Sequence, residues 1–408
     1  MVERVVVAPD KFKGSLSATE VTTRVAAGLA RAGFGGEVAA VPVADGGDGT
    51  VAAALAAGYQ RVDLEVTGPV GEPVGASFAL LDDVAVIEAA QACGLMLLPP
   101  GELAPLTATS RGVGELILAA YRMGARRIVL GVGGVATTDG GAGLAQALGA
   151  RLADESGRPL PPGGAALNQL ASIDLAELSE LSELGELGEL GELGELGEPS
   201  WVEFWLASDV DNPLLGPFGA AAVYGPQKGA SDDDVRLLET GLARWAELAE
   251  TAVAARRAGS GFDAGQSPSP RVADQPGAGA AGGLGFAALL FLGARMRPGI
   301  ELLLELAAFD RWLDGARLVI TGEGSLDAQT LHGKAPVGVA RAAAAHTPPV
   351  PVVAVAGRCT LSAGELRAAG ISAAYAVADI EPDLERCFAN AGPLVERLAE
   401  RIAADWLG

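Results

Sequence analysis

Residues 126–143, RRIVLGVGGVATTDGGAG, constrain the fold more than any other segment of the chain. They begin with a short apolar run at residues 128–130, which is typical of a buried strand. Six glycines follow in residues 131–143, and apolar residues at helical spacing come next. Glycine lets the backbone approach a ligand closely, and free N–H groups at a helix start favour an anion. This order of strand, glycine-rich loop and helix predicts an α/β fold with an anion-binding turn.

The same order occurs at both ends of the chain. Residues 4–8 and 37–43 predict strands that are each followed by a loop and a helix, and Ser17 with Glu20 predicts a capping box for the first helix. The pattern returns from residue 317, with predicted strands at the positions 318–320, 350–356 and 372–377. Such alternation is typical of a parallel sheet that is covered by helices.

The middle of the chain has a different pattern. Three short predicted strands, at positions 61–67, 74–80 and 84–88, are separated by turn residues and indicate an antiparallel hairpin set. We therefore expect a discontinuous parallel-sheet domain, residues 1–66 and 284–408. A second α/β domain with a mixed sheet, residues 67–283, is expected to interrupt it.

Two segments of the expected inserted domain have biased composition. Residues 177–197 are seven tandem triplets, ELS twice and then ELG five times, and a three-residue period matches neither helix nor strand. Residues 258–276 are rich in Gly, Ser and Pro. We expect a solvated surface insertion in the first case and a mobile loop in the second.

Composition excludes several classes of function. The net charge of −22 argues against a nucleic-acid or anionic-membrane partner. Three cysteines without C-x-x-C spacing suggest a reducing cytoplasm, and two histidines exclude a multi-histidine metal site. No signal peptide is evident, and the apolar stretch at residues 284–292 is too short to span a bilayer. We expect a cytoplasmic protein.

Several predicted strands end in a loop where an acid lies near glycine. These acids are Asp10, Asp45, Asp48, Asp139, Asp209, Asp211, Glu323 and Asp327. Ligands of open α/β sheets bind at the carboxyl ends of strands, so these loops could converge on one cleft. Each acid taken alone could instead close a turn or cap a helix, which is the commoner role of Asp beside Gly.

Acids, glycine-rich turns and a few lysines together fit phosphoryl transfer. That reaction needs positioned phosphates, a carboxylate-held Mg²⁺, cationic neutralisation and a proton acceptor near the attacking hydroxyl. The lysines in such loops are Lys11, Lys13, Lys228 and Lys334. The chain has neither a G-x-x-x-x-G-K-S/T motif nor an H-R-D signature, so it would be a kinase of another fold.

The chain resembles the type I glycerate kinases, which phosphorylate D-glycerate with MgATP. Motifs along nearly the whole chain carry this resemblance: APDKFKGSLSA (8–18), ADGGDGT (44–50), ATSRGVGEL (108–116), GVGGVATTDGGAG (131–143), SDVDNPLLG (208–216), YGPQKGA (224–230), GAGAAGGLG (277–285) and TGEGSLDAQTLHGK (321–334). The resemblance implies a flavodoxin-like (Rossmann-like) domain interrupted by a second α/β domain. It also implies 2-phosphoglycerate as the product, with 3-phosphoglycerate as the alternative, and ATP and Mg²⁺ as co-substrate and cofactor.

Residue roles are assigned here from chemistry. For catalysis we predict Asp48 as the base, with Asp45 as its alternative, and Lys11 beside them. The predicted phosphate- and nucleotide-binding residues are Lys13, Gly133, Gly134, Thr137, Thr138, Asp139 and Lys334. The predicted glycerate-binding residues are Ser110, Arg111 and Lys228, because guanidinium matches a carboxylate bidentately and Ser110 can cap a helix. The predicted metal ligands are Asp209, Glu323 and Asp327.

Two other classes of function stay open at this point. An NAD(P)-dependent oxidoreductase of a small hydroxy acid could use Gly131-x-Gly133-x-x-Ala136, with Asp154 holding a ribose. The Thr-Thr-Asp-Gly-Gly continuation argues against it, because it puts a turn where the dinucleotide helix should continue. A non-catalytic acidic binding protein is the other alternative, which the triplet repeat alone might suggest.

Overall fold

The computed structural model describes residues 3–178, 202–259 and 270–408. The triplets from residue 179 onward and residues 260–269 of the expected mobile loop lie outside the described residues. The chain divides into two compact units. Unit 1 consists of Met1–Tyr59 and Pro298–Gly408, and unit 2 consists of Gln60–Arg297.

The strands and helices alternate along most of the described chain. The strands are β1 (Arg4–Pro9), β2 (Glu37–Ala40), β3 (Gln60–Thr67), β4 (Pro73–Leu81), β5 (Val84–Glu88), β6 (Arg127–Gly131), β7 (Arg151–Ala153), β8 (Ser172–Asp174), β9 (Glu203–Ala207), β10 (Arg295–Arg297), β11 (Ala316–Leu326), β12 (Val352–Cys359) and β13 (Ala373–Ala376). The α-helices are α1 (Ala18–Arg31), α2 (Thr50–Ala56), α3 (Ala90–Cys93), α4 (Arg111–Arg122), α5 (Ala142–Ala147), α6 (Ala220–Tyr224), α7 (Asp232–Gly259), α8 (Ala280–Leu292), α9 (Gly299–Leu306), α10 (Phe309–Leu313), α11 (Ala335–Ala345), α12 (Ala363–Ala368), α13 (Leu384–Ala389) and α14 (Ala391–Trp406).

Unit 1 contains a five-stranded sheet in the order β13-β12-β11-β1-β2, with every neighbouring pair parallel. Numbered within the unit, this is the order 2-1-3-4-5, so the expected flavodoxin-like fold is confirmed. Along β1, Val5 and Val7 join one apolar cluster, while Val6 and Ala8 join the other. Both faces of the strand are therefore buried, as helices on both sides of a parallel sheet require.

Helix α1 begins and packs as its sequence predicts. The Ser17 side chain accepts a hydrogen bond from the Glu20 N–H, and the Glu20 side chain accepts one from the Ser17 N–H, so the predicted capping box is confirmed. Helix α14 crosses α1 closely at Gly28, where a Cβ would lie 2.2 Å from the carbonyl oxygen of Glu396. These two helices cover one face of the sheet of unit 1.

Unit 2 contains a six-stranded mixed sheet in the order β10-β9-β6-β5-β4-β3. The strands β3, β4 and β5 pair antiparallel, which confirms the predicted hairpin set, and β5, β6, β9 and β10 pair parallel. The short strands β7 and β8 form a separate antiparallel pair. The buried Trp245 of α7 packs edge-on against Phe286 of α8 and donates a hydrogen bond of 2.9 Å to the carbonyl of Gly140. The long helix and the glycine-rich loop are thus joined in one core.

The two units divide the chain at other positions than the sequence suggests. The expected boundaries, after Val66 and before Leu284, both fall inside elements of unit 2. Val66 belongs to β3, which pairs with β4 along its full length, and Leu284 is buried within α8 in the core of that unit. No helix among the described residues is both long enough and apolar enough to serve as a membrane span.

Candidate active site

In unit 1, the end of β1 meets the end of β11 through Asp10. The Asp10 N–H donates to the carbonyl of Gly322 at 2.8 Å, and Asp10 Oδ1 accepts from the Lys11 N–H at 2.6 Å. Lys11 Nζ lies 3.8 Å from the same carboxylate oxygen and donates to the backbone carbonyl of Asp48 at 2.6 Å. One lysine therefore bridges the loops that follow β1 and β2.

Glu323, on β11, supplies a second buried carboxylate. The side chain accepts a hydrogen bond from the hydroxyl of Thr330, which is itself fully buried. Burial raises the pKa of Glu323 to about 7, although Thr330 and Lys334 oppose the rise. Repulsion from Asp10 and Asp327 acts in the same direction as burial.

Asp10 is also a buried carboxylate with a raised pKa, and only 8% of the residue is exposed. Burial raises its pKa to about 6; the charge of Lys11 opposes the rise, and repulsion from Asp45 adds to it. Two carboxylates with raised pKa values thus lie on neighbouring central strands of a flavodoxin-like sheet, Asp10 directly after β1 and Glu323 within β11. The chain order of the strands reverses direction at this point, and ligands bind there in open α/β sheets.

Asp45 and Asp48 lie in the loop between β2 and α2, and both are half-buried. Asp45 Oδ1 accepts a hydrogen bond of 3.1 Å from the N–H of Gly47, which closes a turn. A Cβ on Gly299 would lie 2.1 Å from the Asp45 carbonyl oxygen, so the start of α9 presses against this loop. Asp45 therefore plays the turn role that the sequence left open beside the catalytic one.

The remaining predicted residues of unit 1 lie at the edges of this cluster. Lys13 is exposed, and Lys334 is the residue that precedes α11, where its charge acts on Asp10, Glu323 and Asp327. Burial opposes ionisation of Asp327, but hydrogen bonds from the Ser325 hydroxyl and the Gln329 N–H, both 2.9 Å, outweigh it and lower its pKa. Asp327 is thus held as an anion by its own loop.

In unit 2, Asp139 is enclosed by hydrogen-bond donors. Oδ2 accepts from the N–H of Ser110 at 2.8 Å, the hydroxyl of Ser110 at 2.9 Å and the N–H of Gly143 at 3.2 Å. Oδ1 accepts from the N–H of Gly141 at 3.0 Å. The carboxylate therefore ties the loop before α4 to the start of α5, where a negative charge is favourable.

Ser110 occupies the position before α4 but does not cap that helix, so the expected capping role is wrong. Its hydroxyl donates to Asp139 and accepts from the N–H of Leu144 at 3.0 Å. The bond to the charged acceptor Asp139 fixes the hydroxyl, and its oxygen accepts from Leu144 of α5 rather than from an N–H group of α4. The neighbouring Arg111 is 47% exposed, and its Nε lies 3.2 Å from Glu115.

Lys228 and the two threonines are buried in unit 2. Lys228 Nζ donates to the carbonyl of Thr137 at 2.5 Å, and the Thr137 hydroxyl donates to the carbonyl of Ala108 at 2.9 Å. Burial lowers the pKa of Lys228 to about 8, although Cys93 and Asp139 raise it. The hydroxyl of Thr138 makes no hydrogen bond with any described residue.

The glycines of the second glycine-rich segment fit against this loop. Gly282 and Gly283 have φ of 68° and 90°, and a Cβ on Gly282 would lie 2.1 Å from the carbonyl oxygen of Thr137 and 2.9 Å from Lys228 Nζ. In the described residues directly before this segment, 270–276, there is no strand but a single 3₁₀ turn, Val272–Asp274. Glycine at these two positions therefore allows the start of α8 to pack closely on the loop that contains Thr137.

Local geometry does not favour dinucleotide binding at residues 131–136. Helix α5 begins only at Ala142, and Gly134 contributes its carbonyl to the N–H of Leu95. Gly133 is half-buried in a turn. Asp154 accepts hydrogen bonds from the N–H groups of Ser156 and Arg158, at 2.8 and 2.9 Å, and so closes a turn of its own. The helix start that would hold a pyrophosphate is missing directly after these glycines.

The predicted metal ligands do not form one group within either unit. Glu323 and Asp327 belong to unit 1, while Asp209 belongs to unit 2, where it is exposed after β9. Within residues 3–178, 202–259 and 270–408, no three His, Cys, Asp or Glu side chains are placed to hold a metal ion. Mg²⁺ usually takes one or two protein carboxylates together with substrate phosphates, so the buried, mutually repelling acids of unit 1 fit a nucleotide-bound cation.

Sequence reasoning missed two residues of the cluster in unit 1. The sequence places Asp10 among the strand-end acids without indicating a role for it, and it gives no indication of Thr330. The position of Asp10 directly after a central parallel strand was the available signal. Thr330 could not be found from the sequence, because its value lies in the contact with Glu323.

Comparisons with known proteins agree on one family. The family model described as the glycerate kinase family matches residues 5–407. The chain is 44% identical to the glycerate kinase of Bacillus subtilis (strain 168), over 98% of this chain and 97% of the relative. It is 40% identical to the glycerate 2-kinase of Escherichia coli (strain K12), with the same coverage. A crystal structure of a protein assigned as glycerate kinase 2 from Salmonella typhimurium LT2 matches with a TM-score of 0.78 and 39% identity, over 99% of this chain and 98% of that one.

Proposed function

The chain belongs to the glycerate kinase family, and on that basis we propose that it transfers the γ-phosphoryl group of MgATP to a hydroxyl of D-glycerate. The 2-hydroxyl is the proposed acceptor, because the Escherichia coli relative is named a glycerate 2-kinase. The alternative product is 3-phosphoglycerate.

One observation supports this proposal beyond the family. Buried carboxylates and the lysine Lys11 meet where the central strands of a flavodoxin-like sheet end. Phosphoryl transfer needs cations that neutralise the phosphates and a carboxylate that accepts the hydroxyl proton. We propose Lys11, Lys13 and Lys334 for the phosphates.

A bound Mg²⁺ would neutralise part of the charge on the transferred phosphoryl group. Glu323 and Asp327 are the proposed protein ligands of that ion in unit 1, and Asp209 remains a prediction from the sequence. Thr330 keeps the Glu323 side chain in place through its hydroxyl. Because Asp327 is already held as an anion by Ser325 and Gln329, it requires no deprotonation to bind a cation.

For several residues of unit 2, the observed hydrogen bonds lead us to propose roles other than those predicted from the sequence. Asp139, Thr137 and Ser110 use their hydrogen bonds inside the unit, so we propose that they shape the loop rather than bind phosphate or glycerate. Lys228 holds the carbonyl of Thr137 and has the same structural role. Arg111 is exposed, and we retain it as the residue that binds the glycerate carboxylate.

The test of this proposal is ADP release that depends on D-glycerate. Purified chain is given ATP, Mg²⁺ and D-glycerate, with reactions lacking glycerate or containing excess EDTA as controls. Phosphorus NMR then identifies the product, because phosphate on C2 couples to one carbon-bound proton and phosphate on C3 couples to two. No glycerate-dependent ADP release from the folded chain would overturn the proposal.

A further inference from the structure

The carboxylates near Lys11 differ in how much of their hydrogen-bonding capacity the protein uses. Asp10 accepts at Oδ1 from the Lys11 N–H, whereas no residue in the described part of the chain donates to Oδ2. Only 8% of Asp10 is exposed, so the residue as a whole has little contact with bulk water. A carboxylate has about four acceptor positions, so Asp10 retains capacity for a further donor.

The two acids of the neighbouring loop are less suited to accept a proton. Asp45 uses a carboxylate oxygen to close the turn with Gly47. Asp48 is held through its backbone carbonyl by Lys11, and its side chain is more exposed than that of Asp10. Neither is placed at the end of a central strand, because β2 is the edge strand of the sheet.

We propose that Asp10 is the catalytic residue that takes the proton from the attacking hydroxyl of glycerate. This inference rests on the proposed function and replaces the earlier assignment of that role to Asp48. Asp10 follows β1, next to β11, at the position where the chain order of the sheet reverses, and Lys11 Nζ lies 3.8 Å from its Oδ1. The base and a phosphate-neutralising cation are therefore adjacent.

The chemical step balances with this single acceptor. The glycerate hydroxyl oxygen forms a bond to the γ-phosphorus, and the bond from that phosphorus to the oxygen bridging to the β-phosphate breaks. The hydroxyl proton passes to Asp10 Oδ2, and ADP keeps the electron pair of the broken bond. Since a general base works best with a pKa near the working pH, the raised pKa of Asp10, about 6, suits this role.

Asp10→Asn is the decisive variant, because the Asn side-chain oxygen can still accept from the Lys11 N–H. We expect kcat for glycerate phosphorylation to fall roughly 100-fold or more. The melting temperature and its increase on adding MgATP should stay close to those of the wild type. Asp48→Asn tests the competing assignment in the adjacent loop and should lower kcat far less than Asp10→Asn does, because we place Asp48 outside the proton transfer.

Chemical rescue separates a base from a residue that only positions Lys11. In Asp10→Ala, added formate should restore part of the lost kcat, because it can occupy the vacated space and accept the proton. Formate should not raise the kcat of Lys11→Met, which lacks a cation rather than a base. If Asp10→Ala does not fold, the kcat values of Asp10→Asn and Asp48→Asn alone decide whether Asp10 is the proton acceptor.

The outcomes separate this inference from the proposed function. Near-normal kcat in Asp10→Asn, in a preparation whose wild type is active, would overturn the role of Asp10 and leave the proposed function standing. A large loss in Asp48→Asn with a small one in Asp10→Asn would return the role to Asp48. A wild type without glycerate-dependent turnover would overturn both.

Discussion

Asp10 in unit 1 and Asp139 in unit 2 are the same residue type, and each lies in a loop after a parallel strand. Within the described parts of the chain, Asp139 accepts hydrogen bonds from four donors, whereas Asp10 accepts one, from the Lys11 N–H, and has a lysine ammonium nearby. Asp139 is therefore saturated by the protein, while Asp10 can still bind something else. The number of donors around a buried carboxylate separates structural acids from candidate catalytic ones.

The lysines of the two units also differ in whether the protein itself already uses their side chains. Lys228 is 3% exposed and is bonded to a backbone carbonyl of its own unit, whereas Lys13 is exposed and Lys334 is half-buried beside the acids of unit 1. A cation that is meant to meet phosphates cannot be sealed inside the core. Lys228 is thus used inside its own unit, whereas Lys13 and Lys334 remain accessible to a ligand.

The largest expected effect is the loss of stability when Asp139 is replaced. If this loss does not occur, the contrast between Asp139 and Asp10 fails. Replacing Asp139 with Ala leaves the buried N–H groups of Ser110, Gly141 and Gly143 without their acceptor. Each buried donor left unsatisfied costs about 1 to 3 kcal/mol, so we expect Asp139→Ala to lower the free energy of unfolding by at least ~3 kcal/mol. Urea unfolding followed by tryptophan fluorescence measures this change.

The matched control is Asp154→Ala. Asp154 also accepts from two backbone N–H groups, but it does so in an exposed turn, where water can replace it. Its loss should cost about 1 kcal/mol or less. An Asp139→Ala chain that is as stable as the wild type but inactive would assign Asp139 to ligand binding and remove the contrast with Asp10.

A smaller loss of stability is expected on replacing Gly282, where two segments of unit 2 are in contact. An alanine there would be strained at φ 68°, and its Cβ would overlap the carbonyl oxygen of Thr137. We expect Gly282→Ala to cost about 2 to 3 kcal/mol, because overpacking adds to the conformational strain. Gly157→Ala, at φ 75° with nothing within 4 Å, has the strain without the overlap and should cost about 1 kcal/mol. Equal costs for the two variants, measured by urea unfolding, would show that the overlap is relieved easily.

The sequence predicts local features of this molecule well and long-range contacts poorly. The capping box of Ser17 and Glu20 and the antiparallel hairpins depend on neighbouring residues, and both are confirmed. The hydrogen bonds from Ser110 to Asp139 join residues 29 positions apart, and no local pattern announces them. Sequence reasoning therefore points to these loops but cannot tell which of their acids already accept hydrogen bonds within the fold.

The smallest effect concerns Arg111, which lies in unit 2 but, unlike Asp139, is exposed. Arg111 forms an i,i+4 ion pair with the partly buried Glu115, and such helix pairs are worth about 0.3 to 0.5 kcal/mol, so Arg111→Lys should scarcely change stability. If the guanidinium holds the glycerate carboxylate through two parallel hydrogen bonds, lysine cannot reproduce that geometry.

We therefore expect Arg111→Lys to raise the KM for glycerate roughly tenfold, about 1.4 kcal/mol of binding, while the KM for ATP stays the same. Arg122→Lys, an exposed arginine in the last turn of the same helix, is the control and should leave both constants unchanged. Equal rises in both KM values would place Arg111 outside glycerate recognition. No change in either would leave it a surface residue, and unit 2 would then contribute only packing among the residues tested here.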